Sequence, residues 1–141
     1  MVSLQADEIM RLSVEIAPPK VVGPTGSGTL QVIPIIGDSF HGEKIGGKVV
    51  PGGADWNTTR PAGIAHVFAK YLLETDDGEF IAIENEGWID PTATTVIKTR
   101  PTFSAGNAGK YSALNSGVYV GELMPTPGAD DRVDIVIYQL R

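Results

Sequence analysis

Residues 64–75 form the longest strand-like run of the chain, and both of its alternating faces are apolar. One face includes Ile64 and Phe68, and the other includes Val67 and Leu73. Successive side chains of a strand point to opposite sides of its sheet, and a strand in a two-layer sandwich would keep one side wet. The run therefore favours a barrel whose interior holds a ligand and whose exterior packs against another subunit.

A hairpin signal, Asp76-Asp77-Gly78, joins this run to the strand-like segment 79–88. The other strand-like segments are 10–16, 29–36, 48–50, 94–98, 118–124 and 132–140. Strands at this spacing, separated by glycine and proline, indicate an antiparallel sandwich or barrel. We expect one all-β domain over residues 1–141, a closed antiparallel β-barrel of about eight strands, with no helix beyond a turn or two, as at 111–116.

The composition excludes several kinds of chemistry. The 141 residues include no cysteine, which removes disulfides, thiolate zinc sites and a cysteine nucleophile, and two histidines cannot form a three-histidine metal site. We therefore expect neither a metal nor another cofactor. The formal net charge is −6, and seven acidic residues with no lysine or arginine lie between Glu74 and Asp90. Such a field repels phosphate backbones, so nucleic acid is not an expected partner.

No segment has the features of a leader or a membrane span. Residues 1–8 lack a basic region followed by an apolar one, and no apolar run approaches the roughly 20 residues that a membrane helix needs. We therefore expect a cytoplasmic protein that does not contact membranes.

The glycine-rich segment 46–56 contains two candidate site residues, Asp55 and Trp56. Its four glycines imply close backbone approaches or positive φ angles. An acid and an indole follow directly, and Arg60 comes soon after, so the segment can furnish a small-molecule pocket with an apolar wall and a few polar groups. The alternative interpretation is an aspartate that caps a turn and a tryptophan that fills the mouth of the barrel.

His66 and the pair Glu84 and Glu86 also allow two interpretations. His66 lies within an apolar strand, so it is either a hydrogen-bonded core residue or a base whose pKa lies near neutrality. Glu84 and Glu86 share one strand face with Trp88, and their mutual repulsion would raise one pKa, as a general acid requires. The alternative for the two glutamates is a solvated strand face, and a metal site with His66 is a further option.

Several short motifs follow one another along the chain. They include Ile33-Pro34-Ile35-Ile36-Gly37, Pro51-Gly52-Gly53-Ala54-Asp55-Trp56, Arg60-Pro61, Asn85-Glu86-Gly87, Pro101-Thr102-Phe103 and Tyr111-x-x-Leu114-Asn115. In these motifs the chain resembles the domain-of-unknown-function family 3237 over essentially its whole length. The resemblance implies a closed antiparallel barrel, similar to lipocalins and allene oxide cyclase, with a central apolar cavity. It implies no settled activity.

The site hypothesis places one pocket inside the barrel. The predicted catalytic residues are Asp55 and His66. The predicted substrate-binding residues are Trp56, Tyr71, Glu86, Arg100 and Asn115. Trp56 would supply an apolar wall, and Arg100 and Asn115 would hold a carbonyl or enolate oxygen, since fixed donors stabilise developing charge. Burial makes an aspartate a stronger base and a histidine a weaker one, so Asp55 is the expected base and His66 orients the ligand or relays the proton.

Three functions fit this site. The first is a cofactor-independent cyclase, isomerase or lyase that acts on a hydrophobic small molecule derived from a polyketide or an aromatic compound. The second is a non-catalytic carrier or sensor of such molecules, which needs only an apolar lining and one polar anchor. The third is a structural subunit with a barrel filled by side chains. The apolar outer faces of the strands predict a homodimer or a small homo-oligomer in each case.

Overall fold

The computed structural model describes residues 1–93 and 96–141 as nine strands and one short 3-10 helix. The strands are β1 (Ala6–Ile16), β2 (Lys20–Thr25), β3 (Gly28–His41), β4 (Gly46–Thr59), β5 (Ala65–Thr75), β6 (Phe80–Ile89), β7 (Ile97–Ala105), β8 (Tyr119–Pro125) and β9 (Arg132–Leu140). The helix spans Ser112–Ser116 and makes little more than one turn. In the described part of the chain, no helix has the length and apolar character that a membrane crossing requires.

Eight of the strands form a closed antiparallel barrel. The order around the ring is β1-β9-β8-β7-β6-β5-β4-β3, and the pairing of β3 with β1 closes it. β2 lies outside the ring, where it forms a hairpin arm with the first residues of β3. The predicted fold class, a closed antiparallel β-barrel of about eight strands, is confirmed.

The ring closes at a bend in β3. The register between β3 and β4 shifts between Ile35 and Ser39, and Asp38 within this bulge has a φ of +82°. The Ser13 hydroxyl on β1 donates a hydrogen bond to the Asp38 carboxylate over 2.6 Å, and Arg132 on β9 forms an ion pair with the same carboxylate. The bulge therefore turns β3 towards β1, and side chains from three strands hold the seam.

β4 is much longer than the predicted strand at 48–50, and the sequence does not predict β2 at all. The glycines after residue 50 belong to a bulge within β4 between Val50 and Ala54. A Cβ atom at Gly53 would lie 2.6 Å from the Lys70 carbonyl oxygen and would also collide with the side chain of Tyr71. Glycine here permits a close approach of two strands, so β4 remains paired with β5 beyond the bulge. Part of the predicted strand 94–98 lies outside the described residues.

The two ends of the barrel interior are packed differently. At the filled end, next to the β3–β4 and β5–β6 turns, six large side chains are less than 2% exposed: Phe40, Met10, Leu73, Ile81, Ile83 and Ile137. Leu114 in the short helix and Tyr111 just before it pack against this core. At the opposite end, next to the β4–β5 and β8–β9 loops, the inward side chains surround a cavity. We call this part the hollow end.

Candidate functional site

The cavity of the hollow end has a volume of about 190 Å³. Its wall is mostly aliphatic and consists of Val14, Ile16, Ile33, Ile35, Val67, Ala69, Ile89, Leu123, Val133 and Ile135. Four polar side chains interrupt this wall: Asp55, Asn57, Tyr71 and Asn85. An apolar concavity with a small number of placed polar groups is typical of a small-molecule site.

The strand register brings three of these polar groups around one small residue. Asp55 on β4 pairs with Ala69 on β5, which in turn pairs with Asn85 on β6. Two strand spacings separate the Cα atoms of Asp55 and Asn85, roughly 9–10 Å. Tyr71 follows Ala69 by two residues and therefore points to the same side of β5. The methyl group of Ala69 leaves space at the centre of this group, so all three side chains border the same part of the cavity.

Asp55 is a half-buried carboxylate that keeps hydrogen-bond partners. Its Oδ1 atom accepts a hydrogen bond from the backbone N–H of Phe68 over 3.0 Å. Burial raises the pKa of Asp55, while the Phe68 N–H, the side chain of Asn57 and the charge of His66 act in the opposite direction. The net shift is upward, so Asp55 is a stronger base than an ordinary aspartate.

Tyr71 and Asn85 present polar atoms with no hydrogen-bond partner in the described protein. These atoms are the Tyr71 hydroxyl and the Asn85 Oδ1, and the two residues are only 4% and 2% exposed. Burial raises the pKa of Tyr71, so its phenol stays protonated and can donate a hydrogen bond. A buried polar group without a partner costs about 1–3 kcal/mol, and a ligand that binds both atoms would remove this cost.

The structure brings only two of the predicted site residues, Asp55 and Tyr71, into the cavity. Trp56, His66 and Arg100 lie on the outer surface, contrary to the expected pocket inside the barrel. The reason is the alternation of each strand: Asp55 faces inward, so its neighbour Trp56 faces outward and is 53% exposed. His66 alternates with the buried Val67 in the same way.

Glu86 and Arg100 belong to an ion-pair network with His66 on this outer surface. The Nε2 atom of His66 lies 2.8 Å from Glu86 Oε2, and Arg100 Nη2 donates to Glu86 Oε1 over 2.6 Å. Two hydrogen bonds lower the pKa of Glu86. The one from His66 has the largest effect, and the one from Arg100 has the next largest. The His66 ring also stacks on Trp88 with 4.5 Å between centroids. Glu86 is therefore a paired surface carboxylate, and its environment does not suit a general acid.

Asn115 lies at the other end of the barrel. Its Oδ1 accepts a hydrogen bond from the Ala105 N–H over 2.7 Å, and its Nδ2 donates to the Ala105 carbonyl over 2.8 Å. Both polar ends of the side chain thus hold the short helix against β7. The prediction that Asn115 lines the same pocket as Asp55 is wrong, because that helix covers the filled end.

Two polar residues of the cavity, Asn57 and Asn85, are not among the site residues predicted from the sequence. A signal for Asn85 is present, since it continues the alternation of the buried Ile81 and Ile83. A polar residue in phase with buried isoleucines points into the barrel. Asn57 shares the inward phase of Asp55 in the same way.

Among the described residues, no group of three or more histidine or carboxylate side chains is arranged to hold a metal ion.

The fold and the cavity define a small closed β-barrel with an internal apolar site. The chain belongs to the family described as "Protein of unknown function (DUF3237)", which matches residues 5–140. A curated relative, a UPF0311 protein of Rhodopseudomonas palustris strain TIE-1, is 30% identical over 154 residues, which cover 98% of this chain and 97% of the relative. The family resemblance seen in the sequence is confirmed.

Solved structures share the fold. A "beta-barrel like protein" from Acinetobacter baumannii matches with a TM-score of 0.87 and 28% identity, over 100% of this chain and 98% of that chain. A protein from Penicillium herquei, described as an enzyme, matches with a TM-score of 0.79 over 100% of this chain and 97% of that chain. Its sequence is 18% identical, so this similarity shows the fold alone.

Proposed function

We propose that the hollow end binds a small, largely apolar molecule and that Asp55 acts on it as a general base, without a cofactor. The observation that carries this proposal is a carboxylate with a raised pKa inside an apolar cavity, beside a protonated tyrosine hydroxyl that has no hydrogen-bond partner among the described residues. The chemistry is that of an isomerase, cyclase or lyase.

The base is the first element of the mechanism. A general base works best when its pKa approaches the working pH, and burial moves Asp55 in that direction. The Phe68 N–H keeps one carboxylate oxygen oriented over 3.0 Å. Asp55 would take a proton from the carbon next to a carbonyl group, and the electron pair of that C–H bond would move towards the carbonyl oxygen.

Tyr71 is the second element. Its phenol would donate a hydrogen bond to the carbonyl oxygen, which becomes an enolate oxygen as the proton leaves. A fixed donor in an apolar cavity stabilises this charge without reorganisation of solvent. Return of the proton from Asp55 to a different carbon completes an isomerisation. Attack of the enolate carbon on a second carbonyl carbon of the same molecule gives a cyclisation, and Asp55 returns the proton to the alkoxide that forms. Expulsion of a group from the carbon next to the enolate carbon gives an elimination, and the departing group takes the electron pair of the broken bond and the proton from Asp55. No oxidant or reductant is needed.

The test measures proton exchange on a probe. Acetophenone is small enough for the cavity and carries exchangeable protons next to its carbonyl. In deuterated water, we expect the protein to accelerate deuterium incorporation into the methyl group, as followed by NMR. Asp55→Asn keeps the shape of the side chain but removes its basicity, so the accelerated rate should fall at least about 100-fold while acetophenone affinity changes much less.

Glu84→Gln is the matched control. It removes a carboxylate on the outer face, 3.3 Å from Lys70, and should leave the exchange rate unchanged. Wild-type exchange that survives in Asp55→Asn would contradict the role of Asp55. Binding of acetophenone with no acceleration in the wild type would favour the alternative, a non-catalytic carrier or sensor.

We also propose that the protein forms a homodimer or a small homo-oligomer through the outer face of β4 and β5. A shallow groove of about 520 Å³ on this face is lined by apolar side chains that include Val50, Pro51, Trp56 and Leu72, the last of which is 42% exposed. Exposed apolar surface of this kind commonly marks an interface.

The cytoplasmic location stays a prediction.

Light scattering at micromolar concentration tests the assembly. We expect a mass above that of one chain for the wild type, and the mass of one chain for Leu72→Glu, because a buried charge disfavours the contact. Thr102→Glu places the same charge at an exposed position of β7 and should not dissociate the assembly. A wild type with the mass of one chain would contradict this proposal.

A further inference from the structure

We infer that the ligand of the hollow end is a non-anionic, single-ring molecule with two polar substituents, an acceptor oxygen for the Tyr71 hydroxyl and a hydroxyl donor for Asn85 Oδ1. This inference rests on the proposed function, because it assumes that a ligand occupies this cavity. It adds the size, the charge and the polar groups of that ligand.

The volume determines the size of the ligand. Pockets for drug-sized molecules measure about 300–1,000 Å³, whereas an engineered apolar cavity of about 150 Å³ holds one benzene ring. The cavity of about 190 Å³ therefore holds one ring with one or two small substituents. A fused two-ring compound exceeds it. A polyketide-derived substrate would therefore have to be a fragment with a single ring.

The two unpartnered atoms determine the polar groups. The protonated Tyr71 hydroxyl lies in apolar surroundings as a donor, and Asn85 Oδ1 is an acceptor. Both residues are more than nine-tenths buried and line the cavity, so a ligand there lies next to both side chains. A purely apolar ligand would leave both atoms without partners. A ligand with an acceptor and a donor would satisfy both.

The charge of the lining determines the charge of the ligand. The lining includes the Asp55 carboxylate, and none of the described lining residues is lysine, arginine or histidine. A carboxylate or phosphate group on the ligand would be buried without a positive partner and close to a negative one. Such burial is strongly unfavourable, so anionic molecules are excluded.

Calorimetric titration of the wild-type protein with a matched set of compounds tests this inference. The positive probes are 3-hydroxyacetophenone and 4-hydroxyacetophenone, which carry the acceptor and the donor at two different separations. The comparison probes are acetophenone, which lacks the donor, 4-hydroxybenzoate, which is an anion, benzylamine, which is a cation, and 1-(6-hydroxynaphthalen-2-yl)ethanone, which has two fused rings. We expect one of the hydroxyacetophenones to bind at least about ten-fold more tightly than every comparison probe.

Two variants assign the effect to Asn85. Asn85→Leu removes the acceptor with little change in volume, so it should abolish the preference for hydroxyacetophenone over acetophenone while acetophenone itself still binds. Asn107→Leu makes the same change at an exposed loop position and should preserve the preference. Retained preference in Asn85→Leu would overturn the assignment.

The outcomes separate this inference from the proposed function. Equal affinities for acetophenone and both hydroxyacetophenones, together with proton exchange that depends on Asp55, would overturn the inference and leave the proposed function intact. Tightest binding of the naphthalene compound, the benzoate or benzylamine would overturn the stated size, charge or polar groups, respectively, in the same way. Absence of binding by every probe would overturn both.

Discussion

The filled end and the hollow end of the barrel are built from the same strands, yet their inward side chains differ in size and polarity. Along β5 and β6, the fully buried Leu73 and Ile81 belong to the filled end, while Ala69 and Asn85 continue the same inward faces into the hollow end. Large aliphatic groups give way to a methyl group and a carboxamide within a few residues. The comparison indicates that one end stabilises the fold and that the other keeps the space and the polar groups that a ligand needs.

The strongest test of this comparison is a pair of isoleucines on the inward face of β6. Ile81→Ala at the filled end should lower the free energy of unfolding by about 2–5 kcal/mol, because it leaves a cavity in a tightly packed layer. Ile89→Ala at the hollow end should cost less than about 1.5 kcal/mol, because much of that side chain already faces open space. Chemical denaturation of both variants measures the difference. Equal losses of unfolding free energy would mean that the two ends contribute equally to the stability of the barrel.

Two buried tyrosines sharpen the comparison through effects of opposite sign. Tyr71→Phe removes a hydroxyl that has no partner in the described part of the chain, so the unfolding free energy should rise by about 1 kcal/mol. Tyr119→Phe removes a hydroxyl that donates to the Leu114 carbonyl over 3.0 Å, so it should fall by about 1 kcal/mol. Thermal and chemical denaturation measure both changes. A loss of stability in Tyr71→Phe would show that its hydroxyl has a partner in the free protein.

The pH dependence of stability gives a smaller, separate test of the hollow end. Burial raises the pKa of Asp55, so the folded state keeps the proton over a pH range in which the unfolded chain has already released it. The contribution of Asp55 is therefore most favourable below the ordinary aspartate range and is lost as the pH rises through the raised pKa. The wild-type unfolding free energy, relative to that of Asp55→Asn, should decline over this range and then stay level. Denaturation at a series of pH values measures it, and a flat difference would contradict the upward shift.

Glu86 on the outer surface should change the unfolding free energy with pH in the opposite direction to Asp55. His66 and Arg100 lower its pKa, so its contribution is present above the ordinary glutamate range and is lost as the pH falls through the lowered pKa. The effect should be the weakest of the set, since the network is open to solvent and screened by it. Glu86→Gln, examined over the same pH series, should remove it.

The sequence is sufficient to predict the closed barrel, the hairpin between β5 and β6 and the position of Asp55 in an internal cavity. It is not sufficient to place Trp56 and His66. One pocket with both Asp55 and Trp56 requires two consecutive side chains on the same side, but the segment is a strand and neighbours in a strand face opposite sides. In β5 both faces are apolar, so alternation alone does not reveal which face is inside. The assignment of His66 depends on the register with β6, a long-range property that no local pattern contains.

The hairpin arm of β2 has a consequence for aggregation. A barrel removes sheet edges by closing on itself, but β2 lies outside the ring and pairs with β3 alone among the described strands, which leaves one edge open to other chains. This edge contains Pro24, which has no amide hydrogen to offer, and its register shifts between Val21 and Gly23, where Gly23 has a φ of +107°. A kink and a missing donor are features that natural sheets use against edge-to-edge pairing. The arm is thus a poor template for the growth of a fibril, even though its valines are exposed.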